Sequence, residues 1–408
     1  MSSNSPSILL VNRVFPPDRG ATGRCVADLS GRLAAVGWRV TVVADGLGPS
    51  EAPPGVTVVR TGGTLAGQGV PPVRDYLYAL CRLVGCALRL PRHDVVVTMT
   101  DPPLSAVTGP LLAARHGAAS IHWSHDLYPA LLPVVGARLP GPLMRMVERA
   151  TQRALRRHDA VVAIGRCMAR RITAMGVPPE RVAVLPNWPD PRIRPVDRAS
   201  NPFRVEHGLG DRFTVAYSGN LGLAHPMEGM LDAAETLGRT DPDVVVLLIG
   251  DGRGHRAVED AVTARGLRNV RFLPFQPPER LAESLSAADL HLATMEPGAE
   301  GLLVPSKVAG ALAAGRPCLF LGPVGSEAAT LVDGCGLTLD PLDGAGIAAA
   351  IRAYADNPAR CAEEGKRALA VAAGWNADIA ARRFAALAEA VRKPAPLVRV
   401  PRRGLPHA

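Results

Sequence analysis

"FTVAYSGNLGLAHPMEGMLDAAETLGRTDPDVVVLLIGDG", residues 213–252, opens on a strand, passes through a helix from Met227 to Leu237 and closes on a second strand. Both strands are near-continuous apolar runs, the pattern of parallel strands buried on both faces. A helix between two such strands is the repeating unit of a doubly wound α/β sheet. The same rhythm continues through a helix near Arg256 to Arg265, "VRFLPF", "ADLHLAT", a helix from about Ser306, "PCLFLGP" and "GLTLD". It also fills the first half of the chain: "SILLVN", a helix from about Arg24 to Val36, "WRVTVVAD", "VTVVR", a helix through "YLYALCRLVGCALRL", "DVVVTMT", "ASIHWSHD", "AVVAIG" and "RVAVLPN". Between the halves, Pro186 to Arg204 carries five prolines and no periodic pattern, so it reads as a connection.

The expectation is an α/β protein of two doubly wound domains facing across a cleft. The first spans residues 1–190, a linker covers 191–204, and the second domain spans 205–375. An amphipathic helix over 376–393 suits either domain, and a loose tail covers 394–408. A chain of 408 residues is long enough for two such cores. Open α/β sheets bind ligands beyond the carboxyl ends of their strands, so function belongs in the strand-to-helix loops.

The composition, 47% hydrophobic and 20% charged, excludes a disordered or fibrous chain. Seven cysteines without a CxxC spacing argue for free buried thiols rather than a zinc site or a disulfide framework. No apolar stretch reaches membrane-spanning length and the N-terminus lacks a basic leader, so the expected location is cytoplasmic. A formal charge of +9 favours an anionic partner without choosing among nucleic acid, membrane and phosphorylated substrate.

Almost all of the positive charge is arginine, and the lysines are Lys307, Lys366 and Lys393. Lys307 opens "SKVAGALAAG" after the Gly-containing loop "MEPGAEGLLVP". With Ser306 as a cap, free backbone N–H groups and Lys307 beside them suit a diphosphate. A core helix whose lysine reaches solvent is the other reading. Arg145, Arg149, Arg153 and Arg156 fall at helical spacing, either as a solvated face or as a contact with anionic lipid at the inner face of the membrane.

The segments "YSGNLG", "LLIGDG" and "VPSKVAGALAAGRPCLFLGPVGSEAATLVDGCGLTL" resemble the donor-binding half of family 4 glycosyltransferases, which are retaining enzymes of the GT-B fold. "ILLVNRVFPPDRGATGRCVADLSGRLAAVGWRVTVV" and "HWSHDLYPALL" resemble the acceptor half, most closely in the colanic-acid and capsule exopolysaccharide branch. The resemblance implies two Rossmann-like domains and transfer of a sugar from a nucleoside diphosphate donor, a UDP-sugar, with retention. It implies a glycan or polyprenyl-diphosphate-linked acceptor, no nucleic acid, no metal and no cofactor beyond the nucleotide sugar.

By the same resemblance Glu300, Gly301, Leu302, Leu303, Val304, Ser306 and Lys307 meet the diphosphate and donor sugar. Gly20 and Gly23 give the first loop close approach to donor and acceptor, and Gly219, Asn220 and Gly250 complete the donor set. His125 and Asp126 lie on the acceptor side near the reacting centre, where the leaving phosphate is itself often invoked as the base.

Two departures stand out. Many members carry a pair of glutamates where this chain has Leu302 and Gly310, with Glu296 and Glu300 nearby as substitutes. Many also carry an Arg and a Lys where this chain has Asn220 and "LGLAHP", leaving His225 as the nearby cation. These departures motivate a non-catalytic nucleotide-sugar-binding protein as the alternative, beside a natural-product transferase with a small acceptor and, more distantly, an oxidoreductase using Gly20, Gly23 and Asp45. "DPD" at Asp241 to Asp243 resembles a metal-binding DxD but precedes its strand, as a turn would.

Overall fold

The computed structural model describes residues 5–18, 20–48, 50–63 and 73–392; the expected tail lies outside them. The first sheet contains β1 (Ser7–Val11), β2 (Arg39–Ala44), β3 (Val56–Arg60), β4 (Val95–Met99), β5 (Ala119–Ser124), β6 (Ala160–Ala163) and β7 (Val182–Val184), in the order 3-2-1-4-5-6-7. The second contains β8 (Phe213–Ser218), β9 (Val244–Ile249), β10 (Val270–Leu273), β11 (Leu290–Thr294), β12 (Cys318–Leu321) and β13 (Gly336–Leu339), in the order 10-9-8-11-12-13. Every strand pair is parallel. The order reverses beside β1 in one sheet and beside β8 in the other, which opens a crevice at the carboxyl ends of these strands.

The buried strands explain the apolar runs. β1, β4, β5 and β6 of the first sheet and β9, β11 and β12 of the second are buried along their whole length. Cys25, Cys167, Cys318 and Cys335 are buried free thiols, whereas Cys81 is exposed on the helix Val73–Arg89.

Three elements add to the sequence expectation. Phe203 and Arg204 fall in the expected linker, yet Phe203 is fully buried in the second core and Arg204 pairs with Asp289 at 3.3 Å. Asn201 caps this short helix, Pro202–Glu206, by accepting from the Phe203 amide, so the packed second unit begins before residue 205. Helices Gly344–Ala355 and Pro358–Ala373 occupy a region read only as following the last strand. The helix Ala377–Val391 returns to the first domain, where Ala377, Ala380, Ala381, Phe384 and Ala388 join its core and Phe384 packs 5.4 Å from Trp123.

Candidate active site

A cleft of about 530 Å³ lies between the two sheets at their carboxyl ends. The second domain contributes the loop after β8. Tyr217, at the end of that strand, donates its hydroxyl to the Asn220 carbonyl at 2.9 Å and so fixes the turn. Gly219 adopts φ +129°, and a side chain there would meet Lys307 Cε at 3.3 Å. This close approach seats the Lys307 ammonium 4.8 Å from the centre of the Tyr217 ring.

Lys307 makes no ion pair or hydrogen bond among the described residues, and burial lowers its ammonium to about 7. The ring face offsets only part of the lost hydration, so the charge is held ready for an incoming anion. His225 stands nearby, with Nδ1 donating to the Thr294 carbonyl at 2.7 Å. Burial first and Lys307 second push its imidazole to about 3, so His225 is neutral and presents Nε2 rather than a cation.

The first domain supplies the opposite wall. Thr100 Oγ1 accepts from the amides of His125 at 2.8 Å and Asp126 at 3.3 Å, holding the bend that follows β5. Asn187 donates to His125 Nδ1 at 3.2 Å, which places the ring hydrogen on Nε2, where no described residue accepts it. Burial and then the Arg24 charge keep this imidazole down to about 3. Asp126 moves the other way, raised to about 7 by burial and then by Asp101. The neighbouring wall thus pairs a neutral N–H donor with a carboxyl able to change charge near neutrality.

Gly20, His125, Asp126, Gly219, Asn220, Leu303, Val304, Ser306 and Lys307 line this cleft. The others expected there do not reach it. Gly23 is buried in the helix Ala21–Ala35, where a Cβ would sit 2.8 Å from Val14 Cγ1. Gly250 lies behind the β8 loop, where a Cβ would collide with the Gly219 carbonyl. Gly301 backs onto the Cys167 carbonyl, and the Glu300 carboxylate lies against Gly325. Ser306 has helical backbone angles but its hydroxyl makes no capping bond, and the helix it precedes runs only from Lys307 to Ala313.

Leu302 shows why one of the usual carboxylates is missing. Its side chain is 3% exposed within the core of the first domain, and its carbonyl accepts from the Leu127 amide at 2.8 Å. A carboxylate there would enter an apolar core without a partner. Gly310 lines the cleft, where a Cβ would meet Leu285 Cδ1 at 3.4 Å. His122 faces away from it, bonded to Thr98 and packed against His158. Gly252 folds against Asn220 in a tight turn, and Asp241 pairs with Arg352 just before β9. Among the described residues, no three His, Cys, Asp or Glu side chains converge as a metal-ligand set.

Residues 20–188 match the family described as "Glycosyl transferase 4-like domain", and residues 200–370 match "Glycosyl transferases group 1". The chain belongs to the family 4 glycosyltransferases of the GT-B fold. This GT-B chain is 28% identical over 251 residues to the putative colanic acid biosynthesis glycosyl transferase WcaI of Escherichia coli, covering 59% of this chain and 61% of the relative. It is 29% identical over 256 residues to the probable glycosyltransferase WbjE of Pseudomonas aeruginosa, covering 61% and 62%. The matched stretches thus span about three fifths of these relatives. Among solved structures, HepE of Anabaena in complex with UDP superposes with a TM-score of 0.71 at 18% identity, over 94% of this chain and 100% of that one. Sucrose-phosphate synthase of Thermosynechococcus elongatus gives 0.77 at 19%, over 95% and 99%. These likenesses show the fold.

Arg24, Asn187 and Asp190 also line the GT-B cleft and escape a reading of the sequence. Arg24 donates to the Trp188 carbonyl at 3.0 Å, while its buried Nη1 has no partner. It lies in the first turn of the helix Ala21–Ala35. That position was the one available signal, because helix starts favour anions and an arginine there is out of place unless an anion joins it.

Proposed function

We propose that this chain transfers a sugar from a nucleoside diphosphate, a UDP-sugar, to a lipid-linked or other glycan acceptor in exopolysaccharide assembly, with retention at the anomeric carbon. The observation that carries this reading is the Lys307 ammonium, buried in the interdomain cleft without a carboxylate. Arg24 Nη1, also without a partner, gives the opposite wall a second cation for the diphosphate. The solved HepE structures with UDP and with UDP-glucose support the choice of uridine nucleotide. The WcaI relative supports the choice of pathway. His125 and Asp126 face the acceptor, and the protein's contribution is positioning and charge stabilisation.

A panel of nucleoside diphosphate sugars tests this by thermal stabilisation together with slow donor hydrolysis. Stabilisation and hydrolysis by one UDP-sugar is the expected result. No response to any donor overturns the proposal, and stabilisation without turnover on any acceptor favours the non-catalytic alternative.

The acceptor side carries a further expectation. Arg145, Arg149 and Arg153 are exposed on the helix Gly141–Leu155 and have no ion pair among the described residues. Leu143 and Met146, 38% and 61% exposed, lie beside them. A basic face with apolar side chains at its edge suits an anionic lipid surface. Each arginine near such a surface contributes about 1 kcal/mol, so changing all three to glutamate should reduce co-sedimentation with anionic liposomes by at least about 100-fold. Unchanged sedimentation would return the helix to a solvated face.

A further inference from the structure

A second cavity, of about 370 Å³, lies at the amino ends of β8, β9 and β10, across the second sheet from the cleft. The helices Glu228–Thr240 and His255–Arg265 both finish beside it. Its wall carries Arg212, Arg239, Arg265, Arg268 and Arg271 against one carboxylate, Glu235. Arg239 and Arg265 lie in the last turns of those helices, where the dipole favours a cation, so the first indication of a ligand is the remaining excess at Arg212, Arg268 and Arg271.

The partners of these arginines sharpen it. Arg239 lies 3.5 Å from Glu235, and Arg265 pairs with Asp232 and Glu228. Arg212, Arg268 and Arg271 have no ion pair among the described residues. Backbone carbonyls position two of them: Arg212 donates to Leu209 at 3.3 Å and to Gly208, and Arg271 donates to His207 at 3.1 Å. Arg271 is shifted below the usual arginine range by burial and then by the adjacent Arg212 charge. Guanidinium groups held close by neutral acceptors repel one another unless an anion enters between them.

The cavity also offers acceptors. Asn269 donates to the Ala234 carbonyl at 2.8 Å, which leaves its buried Oδ1 without a partner. With Glu235, that oxygen suits the hydroxyls of a ligand whose other end is anionic. A volume of about 370 Å³ is near the lower end of small-molecule pockets and smaller than the cleft.

We propose that this cavity binds a small phosphate ester of sugar-phosphate size, at a site separate from the cleft. Its phosphate sits among Arg212, Arg268 and Arg271, and its hydroxyls meet Asn269 and Glu235. The site is independent of the cleft's function, because none of these residues lines the cleft.

Calorimetric titration of the full chain with glucose 6-phosphate tests the assignment, with inorganic phosphate and heparin as separate titrants. The titrations are run with excess UDP and again in the Lys307→Ala variant, so failure of the cleft assignment leaves this test intact. Saturable binding of the sugar phosphate is expected in both settings, tighter than that of inorganic phosphate. Arg268→Gln should weaken it at least about tenfold, and Arg212→Gln with Arg271→Gln further. Arg268 is exposed and makes no hydrogen bond or ion pair among the described residues, so its replacement keeps the fold even if the double variant does not. No saturable binding, competition by UDP, unchanged affinity in Arg268→Gln, or binding of heparin alone would each overturn the proposal.

Discussion

Lys307→Ala is expected to weaken UDP binding by about 10- to 100-fold, since a hydrogen bond to a charged group contributes about 1.5–3 kcal/mol. The residue has no carboxylate to share its charge, so an arriving diphosphate meets an ammonium that has already lost its water. Protons make the effect distinctive. Burial lowers Lys307 to about 7, and a diphosphate beside it restores the charged form. UDP binding at pH 7 should therefore take up about half a proton, more at pH 8, visible as a binding enthalpy that changes with the ionisation enthalpy of the buffer. Lys307→Met should abolish that dependence. The sign for folding follows: a lysine lowered from its ordinary value sheds a proton on folding, and this penalty grows as pH falls from about 10 to about 7. Ligand-free Lys307→Met should then melt higher than the parent at pH 7. Unchanged UDP affinity in Lys307→Ala would remove Lys307 from the donor site.

Asp126→Asn is expected to lower turnover by about 100-fold or more while UDP affinity stays within about twofold, the pattern of a lost proton acceptor. The parent's rate should rise with pH around about 7, where burial and Asp101 place the Asp126 carboxyl, and the variant should lack that limb. His125, held neutral down to about 3, should add no limb near its ordinary value, although His125→Ala should reduce turnover. For stability, a raised carboxyl is protonated in the folded chain at pH values where the unfolded chain has released the proton. Its contribution therefore declines as pH rises from about 4 to about 7, and Asp126→Asn should be the more stable protein at pH 8. A parent-like rate for Asp126→Asn would leave the proton to the leaving phosphate.

The fold was legible because parallel strands buried on both faces write themselves as apolar runs, and "DVVVLLIGDG" and "ASIHWSHD" needed no tertiary information. Lys307 was legible as one of three lysines in an arginine-rich chain, His125 through the family resemblance, and both line the cleft. Arg24, Asn187 and Asp190 were not, since only the approach of the two halves makes them neighbours. Leu302 was misplaced on the same account. Its loop belongs to the second half of the sequence, but its side chain belongs to the core of the first domain. The Ala-rich helix Gly344–Ala355 has a weak contrast between its faces, which hid it from a periodicity reading.

The return of Ala377–Val391 to the first domain means that the backbone passes between the halves twice, near residues 186–201 and again at residues 374–376. The two crossings are joined by a third tie, since Leu302 of the second half is held in the core of the first domain and Glu327 pairs with Arg166 at 3.0 Å, so the halves cannot turn apart without breaking that packing. A protease that nicks one crossing leaves the halves tethered by the other, so cleavage at a single site should release neither half under native conditions.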